Sequence, residues 1–424
     1  MMRKLGLLLT VLLLLSSILA SMAYGDAGET TITFWGWQGE LENAWLTHLI
    51  PDFEAANPGI KVDLVMMPWQ QYWQKVQTSM ASDTLPDLMT MSVAYLDLYA
   101  KNGALMDISN YVKSDIDQSK YYESGLETVR YPDTKTGPEY AFPWNVVGNC
   151  LYYNKTLFDA AGVAHPTDDW TWEDVRNAAI KLTQITESPD TTTYGFAVDN
   201  GYTVMDSIIY SYGGAIVSPD LKTCVINSPE TKKAVQFIYD LIHTDKVSPA
   251  INLSTDTMAF ASGRVAMEIG GAWSLESFGD TTNFDWDIAK MPIGPSGNRC
   301  MRAWSDSIAI TKSCKNPDKA WDFIKFLVGE KGQTKENLSG TRIPILLSAS
   351  TSDNWLNPGS KPEHKIKLLE ALPESSPFVF RGGWGEWNTV YESEMFSALS
   401  GEKPIDQALA DAQVGIQEVL DSNQ

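Results

Sequence analysis

A chain of 424 residues with 53 Asp and Glu against 32 Lys and Arg carries a formal net charge of -21. So acidic a protein is a poor partner for nucleic acid or an anionic membrane surface, where phosphates call for Lys and Arg. The length exceeds what one hydrophobic core serves, roughly 250–300 residues, so two domains are expected.

Residues 1–25 read as a secretory signal. Arg3-Lys4 precedes an apolar run from Leu5 to Leu19, and small residues follow at Ala20, Ser21, Ala23 and Gly25. Cleavage after Ala23 or Gly25 fits. The run is shorter than the about 20 residues of a membrane span, and no Cys stands near to take a lipid anchor. A periplasmic or extracellular location is therefore expected. Arg3 and Lys4 are the only charges before Asp26, so their removal takes the net charge to -23.

The mature chain opens with a strand, Thr31 to Trp35, then a loop, Gly36-Trp37-Gln38-Gly39. A helix beginning at Glu40 puts Leu41, Trp45, Leu49 and Phe53 on one side and is kinked near Pro51. Ile60 to Met66 alternates as a second strand. Strand, helix, strand starts an α/β domain. A helix from Pro68-Trp69 to about Ser82, a short strand Leu88–Ser92 and a helix Tyr95–Asn102 follow. Tyr140–Trp144 is extended, and Val146–Tyr153 is a strand with no turn chemistry before it, which suits a crossing between domains. Thr171 with Asp174 three residues on marks the capping box of a helix to Thr183. Tyr194–Ala197 reads as a strand and Val204–Tyr212 as a helix. Ser228-Pro229 starts another helix with Pro at its first position. Strands are expected at Val265–Ile269, Phe284–Met291 and Ser307–Ile310. Asn316-Pro317 caps a helix with Trp321, Ile324 and Leu327 inward. Arg342-Ile343-Pro344 is extended, and Trp384 and Trp387 precede a helix ending near Ser400-Gly401. No linker or repeat is visible, so the chain is expected to cross between domains more than once.

Catalytic signatures are missing from the pattern. His48, His165, His243 and His364 have no ligand partner at helical spacing. No nucleophile elbow, phosphate loop or dinucleotide fingerprint occurs, and neither metal nor cofactor is expected. Cys150, Cys224, Cys300 and Cys314 allow three disulfide pairings; proximity favours Cys300–Cys314 with Cys150–Cys224, and free buried thiols are the alternative.

Aromatic residues are abundant, with 15 Trp, 17 Tyr and 14 Phe. Many sit in loops that follow predicted strands: Trp35 and Trp37, Trp69, Tyr95, Trp144 and Trp273. In open α/β sheets ligands bind beyond the carboxyl ends of strands. Aromatic faces beside amides and carboxylates suit a sugar, whose C–H surface stacks on the rings while its hydroxyls take hydrogen bonds.

Several ordered motifs resemble the extracellular solute-binding protein family 1, the sugar-capturing components of ABC importers, with the maltose-binding proteins as relatives. They are Leu85-Pro86-Asp87-Leu88 with Asn102-Gly103-Ala104-Leu105, and Tyr140-Ala141-Phe142-Pro143 with Leu151-Tyr152-Tyr153-Asn154-Lys155 and Phe158-Asp159-Ala160-Ala161-Gly162. Trp170-Thr171-Trp172-Glu173, Phe260–Met267 with Gly271-Ala272-Trp273, and Pro317–Phe323 complete the set. The resemblance implies an α/β, two-lobed periplasmic-binding-protein-like (type II) fold with discontinuous lobes, hinge strands and a cleft between them. The first lobe would hold residues 26–144 and 292–342, the second 145–291 and 343–424. Crossings would fall at Pro143-Trp144-Asn145, near Met291-Pro292 and near Arg342-Ile343-Pro344.

The resemblance also implies a ligand set. Trp37, Gln38 and Glu40 fall in the first binding loop, and Trp69, Asp83 and Tyr95 belong to the same lobe. The relatives' hinge carboxylate has no counterpart, its position falling near Val147; Trp144 and Asn145, at the first crossing, are candidates to replace it, and Tyr202 and Asp206 lie in the region of the other lobe's contacts. Trp273 follows the family's Gly-x-Trp turn, and Arg342, Arg381, Trp384 and Trp387 complete the candidates. The expected function is capture of a sugar, an oligosaccharide by the number of Trp, by a monomer that delivers it to membrane permease subunits. A secreted carbohydrate-active hydrolase or lyase is the alternative from another class. A third reading keeps the fold and changes the ligand, to glycerol phosphate, a polyamine or iron.

Overall fold

The computed structural model describes residues 29–37, 41–188, 191–198, 202–251, 258–279, 283–334, 336, 338, 342–377 and 383–423. The expected signal segment, Gln38, Glu40 and Arg381 lie outside the described residues, as does the side chain of Tyr202. Among the described residues no helix is long and apolar enough to cross a membrane.

Two sheets organise the chain. The first has strand order β2-β1-β3-β9-β4, built from β1 (Thr30–Trp37), β2 (Ile60–Met67), β3 (Leu88–Ser92), β4 (Phe142–Pro143) and β9 (Asp306–Ile310). β1 runs parallel to both β2 and β3, whereas β9 runs antiparallel to β3 with Ser92 opposite Asp306. The carboxyl ends of β1, β2 and β3 therefore share one edge with the point where the chain enters β9. Helix α1 (Trp69–Ala81) leaves β2 at that edge, and α2 (Val93–Lys101) leaves β3 there, its amino end capped by Ser92, whose side chain accepts from the Ala94 amide. Between β1 and β2, Trp45, Leu49 and Phe53 are buried as the four-residue spacing predicts. The irregularity expected at Pro51 is a π-turn over Trp45–Leu49, immediately before it.

The second sheet is centred on β5 (Asn145–Asn154), all ten residues of which are buried. β5 pairs in succession with β10 (Ile343–Pro344), β8 (Arg302–Trp304), β6 (Met267–Gly271) and β7 (Trp286–Ala289), and β8 pairs further with β11 (Ser376–Pro377). A strand covered on both faces reads as a continuous apolar run, which is how Val146–Tyr153 stood out. The helices α3 (Trp172–Leu182), α4 (Tyr202–Ser211) and α5 (Pro229–His243) follow, and α4 packs on both α5 and β8. The Thr171–Asp174 capping box is formed on α3, and Ser228 accepts from the Thr231 amide ahead of α5. Helix α6 (Pro317–Val328) covers β9, burying Trp321, Ile324 and Leu327. Helices α7 (Trp384–Leu399) and α8 (Ile405–Ser422) pair with each other and with α5.

The strand expected at Tyr194–Ala197 is reduced to single bridges, Tyr194 to Val265 and Ala197 to Glu268. The chain steps from the first sheet to the second at Trp144, between β4 and β5. It returns at Ser305, between β8 and β9, not near Met291-Pro292. The residues between pair with the second sheet and its surroundings: Ile293 bridges Thr171, and β8 pairs with Val147 and Gly148. No sequence signal marked β8, because three residues are too few for a period to show. None of the four cysteines is joined in a disulfide, so neither expected pairing forms.

The crossings are stitched together. The Asn145 side chain donates to Asp306 Oδ2 at 3.0 Å and accepts from the Asp306 amide at 2.7 Å. Buried Gln333 donates to the carbonyls of Trp144 and Leu327, each at 3.0 Å, and accepts from the Ile345 amide at 2.8 Å. One glutamine thus ties the first crossing to the third.

Candidate functional site

The edge where β1, β2 and β3 end carries a cluster of rings. Trp37, at the end of β1, meets Trp69 edge to face at 5.1 Å and Tyr72 at 5.6 Å. Trp73 lies at the centre, 5.6 Å from Trp69, 4.9 Å from Tyr72 and 4.1 Å from Tyr95. The Tyr72 hydroxyl is buried and donates to the Thr90 carbonyl at 2.6 Å, which pins α1 onto β3. Trp69 is 43 % exposed, although its neighbours bury most of theirs. An indole that open, set against the buried ring of Trp73, offers a face to a ligand.

Across the hinge, Trp273 follows β6. β6 runs antiparallel to β5 with Gly271 opposite Asn149, so its carboxyl end points back toward the hinge. The Trp273 ring lies over Gly271: a Cβ there would stand 1.9 Å from the indole Cζ3. Trp304, opposite Val147 on β8, meets Trp273 at 5.7 Å. Trp273 is half-buried and Trp304 is 8 % exposed.

Helix α7 spans from one lobe toward the other. Its first residue, Trp384, meets Tyr95 of the first lobe at 6.5 Å, and Trp387 stands 6.4 Å behind Trp384. Both lie in the first turn of α7 instead of ahead of it. Further along the same face, Tyr391 is buried beside Asp206 of α4. Burial pushes the Asp206 carboxyl up to about 7, against the pull of Arg302 and Tyr391. The Arg302 guanidinium lies 4.2 Å over the Tyr210 ring.

Trp37, Trp69, Tyr95, Trp384 and Trp387 are thus drawn into one array, with Trp273 on the opposite side of the hinge. Other expected residues are placed elsewhere. Trp144 is buried against Trp45 at 5.5 Å, inside the first lobe. Asn145 is wholly buried and spends its amide on Asp306. Asp83 sits before β3, at the edge away from the strand ends, where it accepts from the Ser313 hydroxyl at 3.1 Å. Arg342 is half-buried at the start of β10, its carbonyl accepting from the Trp355 indole at 2.7 Å. Asp206 is 1 % exposed, behind the ring layer.

Sequence reasoning passed over Tyr72, Trp73, Trp304, Arg302 and Tyr391. Trp73 was within reach, since Trp69 and Trp73 are four apart on one helix and so share a face. Arg302 and Trp304, two apart, share one face of β8, but only once β8 is recognised.

Comparison with known proteins agrees with this architecture. The family described as bacterial extracellular solute-binding protein matches residues 38–334. A Brucella abortus protein described as a binding protein is 24% identical over 404 residues, covering 93% of this chain and 94% of its own. The diacetylchitobiose binding protein DasA of Streptomyces coelicolor is 25% identical over 319 residues, 73% of this chain and 71% of its own. Among solved structures, an ABC substrate-binding protein of Listeria monocytogenes in complex with cycloalternan superposes with a TM-score of 0.83 at 24% identity, covering 93% of this chain and 99% of that one. That likeness is one of fold, two lobes on two sheets about a shared hinge. The chain belongs to the bacterial extracellular solute-binding proteins.

Proposed function

We propose that this chain captures an oligosaccharide between its lobes and presents the closed, loaded form to the permease subunits of an ABC importer. In this reading it is an exported monomer without catalytic activity and without nucleic-acid partners. The first lobe runs to Trp144 and resumes from Asp306 to the passage near Arg342; the second takes the remainder. The observation that carries the reading is the pair of aromatic faces on either side of one hinge edge. Trp37, Trp69 and Tyr95 stand on one side and Trp273 on the other. A pyranose stacks on such faces through its C–H surface, and a chain of sugars uses several at once. The names of relatives support the class: diacetylchitobiose for the Streptomyces coelicolor protein and arabinooligosaccharide for one from Bacillus subtilis. Ligand contacts shared by both lobes would shift the population toward closure.

A thermal-shift screen tests the reading with diacetylchitobiose, arabino-oligosaccharides, cycloalternan, maltose and their monosaccharides. An oligosaccharide is expected to raise the melting temperature and to be recovered unchanged after incubation. Released product would mark a hydrolase or lyase instead. For a sugar that binds, Trp273→Ala is expected to weaken affinity by about tenfold or more, about 1.4 kcal/mol, with the melting temperature of the free protein little changed. Unaltered affinity by calorimetry would remove Trp273 from the site.

A further inference from the structure

Asp206 was expected to touch the ligand. It is buried behind the ring layer, and its Oδ1 makes no hydrogen bond among the described residues. The Tyr391 hydroxyl faces it from α7, near enough for each to shift the other as a hydrogen-bonding neighbour yet outside full hydrogen-bond geometry, and Asn388 Oδ1, three residues earlier on that helix, makes no hydrogen bond among the described residues. A buried polar atom without a partner costs about 1–3 kcal/mol, so this seam between α4 and α7 is held at a cost. The groups facing Asp206 are Arg302 from β8, Tyr391 and Glu392 from α7, and Tyr210 from its own helix, with Cys300 acting on Tyr210.

We propose that Asp206 is a positioning residue: its carboxyl and the Tyr391 hydroxyl form a proton-dependent latch between α4 and α7 that sets where Trp384 stands against Tyr95. This rests on the proposed sugar site only in what the movement is for; the latch itself needs no ligand.

The chemistry follows from charge. Ionised, the carboxylate accepts from the Tyr391 O–H and is balanced by Arg302. Protonated, it is a donor, loses the attraction of Arg302, and no longer draws Tyr391 as a charged acceptor does. α7 carries Tyr391 and Trp384 seven residues apart on one face, two turns of helix, so a shift at Tyr391 is carried along a rigid rod to the ring that meets the first lobe. Burial places the midpoint near neutrality, at about 7.

The test uses the ligand-free mature protein. Near-ultraviolet circular dichroism is followed from about pH 5 to about pH 9, a range that brackets the shifted carboxyl. The wild type is expected to show a reversible change with a midpoint near 7. Asp206→Asn, nearly isosteric, is expected to abolish it. Trp384→Phe is expected to remove most of its amplitude, because that ring moves. Tyr391→Phe is expected to leave a smaller, shifted transition. A wild-type signal flat across the range, or an Asp206→Asn protein that titrates like the wild type, overturns the latch. Loss of the transition in Asp206→Asn but not in Trp384→Phe overturns the positioning role and leaves only a buried acid.

Stability provides a second readout with a defined sign. The folded-state carboxyl is raised above its ordinary value of 3.8, so its contribution is fully present below that value and is lost as pH rises toward 7. Asp206→Asn is expected to flatten that part of the urea profile, and an unchanged slope counts against the raised carboxyl. Neither readout depends on sugar, so a failed sugar screen and a failed latch are told apart.

Discussion

At the scale of single residues, Gly271 decides more than its lack of a side chain suggests. Trp273 is placed by lying on the Gly271 backbone, where a Cβ would come within 1.9 Å of Cζ3 and 2.2 Å of Cε3 and Cη2. These are ring atoms of a fused aromatic, which cannot flex away as a Lys or Met tip does. Gly271→Ala must therefore rotate the indole out of its place against Trp304. The expected result is an affinity loss close to that of Trp273→Ala, with the fold retained, read by calorimetry against whichever sugar binds. A variant that binds as the wild type would mean that the ring adjusts without cost and that its position is not tuned. The Gly-x-Trp turn pointed to Trp273 as a candidate, but not to the reason for the glycine. That reason lies in the fold-back of the ring, which no spacing rule encodes. Trp144 and Asn145 went the other way. Their place after a strand matched the other aromatic loops, yet β4 and β5 form a continuous crossing, so both side chains point into packed structure.

Elements were more legible than residues wherever periodicity had length to act. β3 and the capped start of α3 lie where the pattern puts them, and β2 shows the edge-strand alternation of Val62, Leu64 and Met66. Short hinge strands were not legible. β8, β10 and β11 have three residues or fewer, and their partners are distant in sequence: β8 and β10 pair with β5, and β11 pairs with β8. Gln333 is the clearest case of a role that only tertiary structure confers. It is 2 % exposed and serves the Trp144 carbonyl, the Leu327 carbonyl and the Ile345 amide together. Gln333→Ala strands buried donors and acceptors on two hinge passages at once. At about 1–3 kcal/mol for each buried group left without a partner, a loss of about 2–5 kcal/mol is expected. Urea denaturation monitored by fluorescence measures it. A loss below about 0.5 kcal/mol would show that water enters and replaces the amide.

For the whole molecule, the manner of connection sets how the lobes should respond to a ligand. The chain passes through the hinge more than once, and Asn145–Asp306 and Gln333 bind those passages to one another. Neither lobe is a contiguous stretch that could unfold alone without disturbing the other's strands: β9 completes the first sheet only after the second has been entered and left. One cooperative transition is therefore expected in urea for the free protein. A sugar held by both lobes binds only the folded, closed form. At a free concentration of about 100 times its dissociation constant, it should add about 2.7 kcal/mol to the stability. Because closure changes little of the surface exposed on unfolding, the midpoint should move up while the slope stays constant. Two resolved transitions, only one of them sensitive to sugar, would place all ligand contacts on a single lobe. The aromatic faces on the other side of the hinge would then have no part in capture.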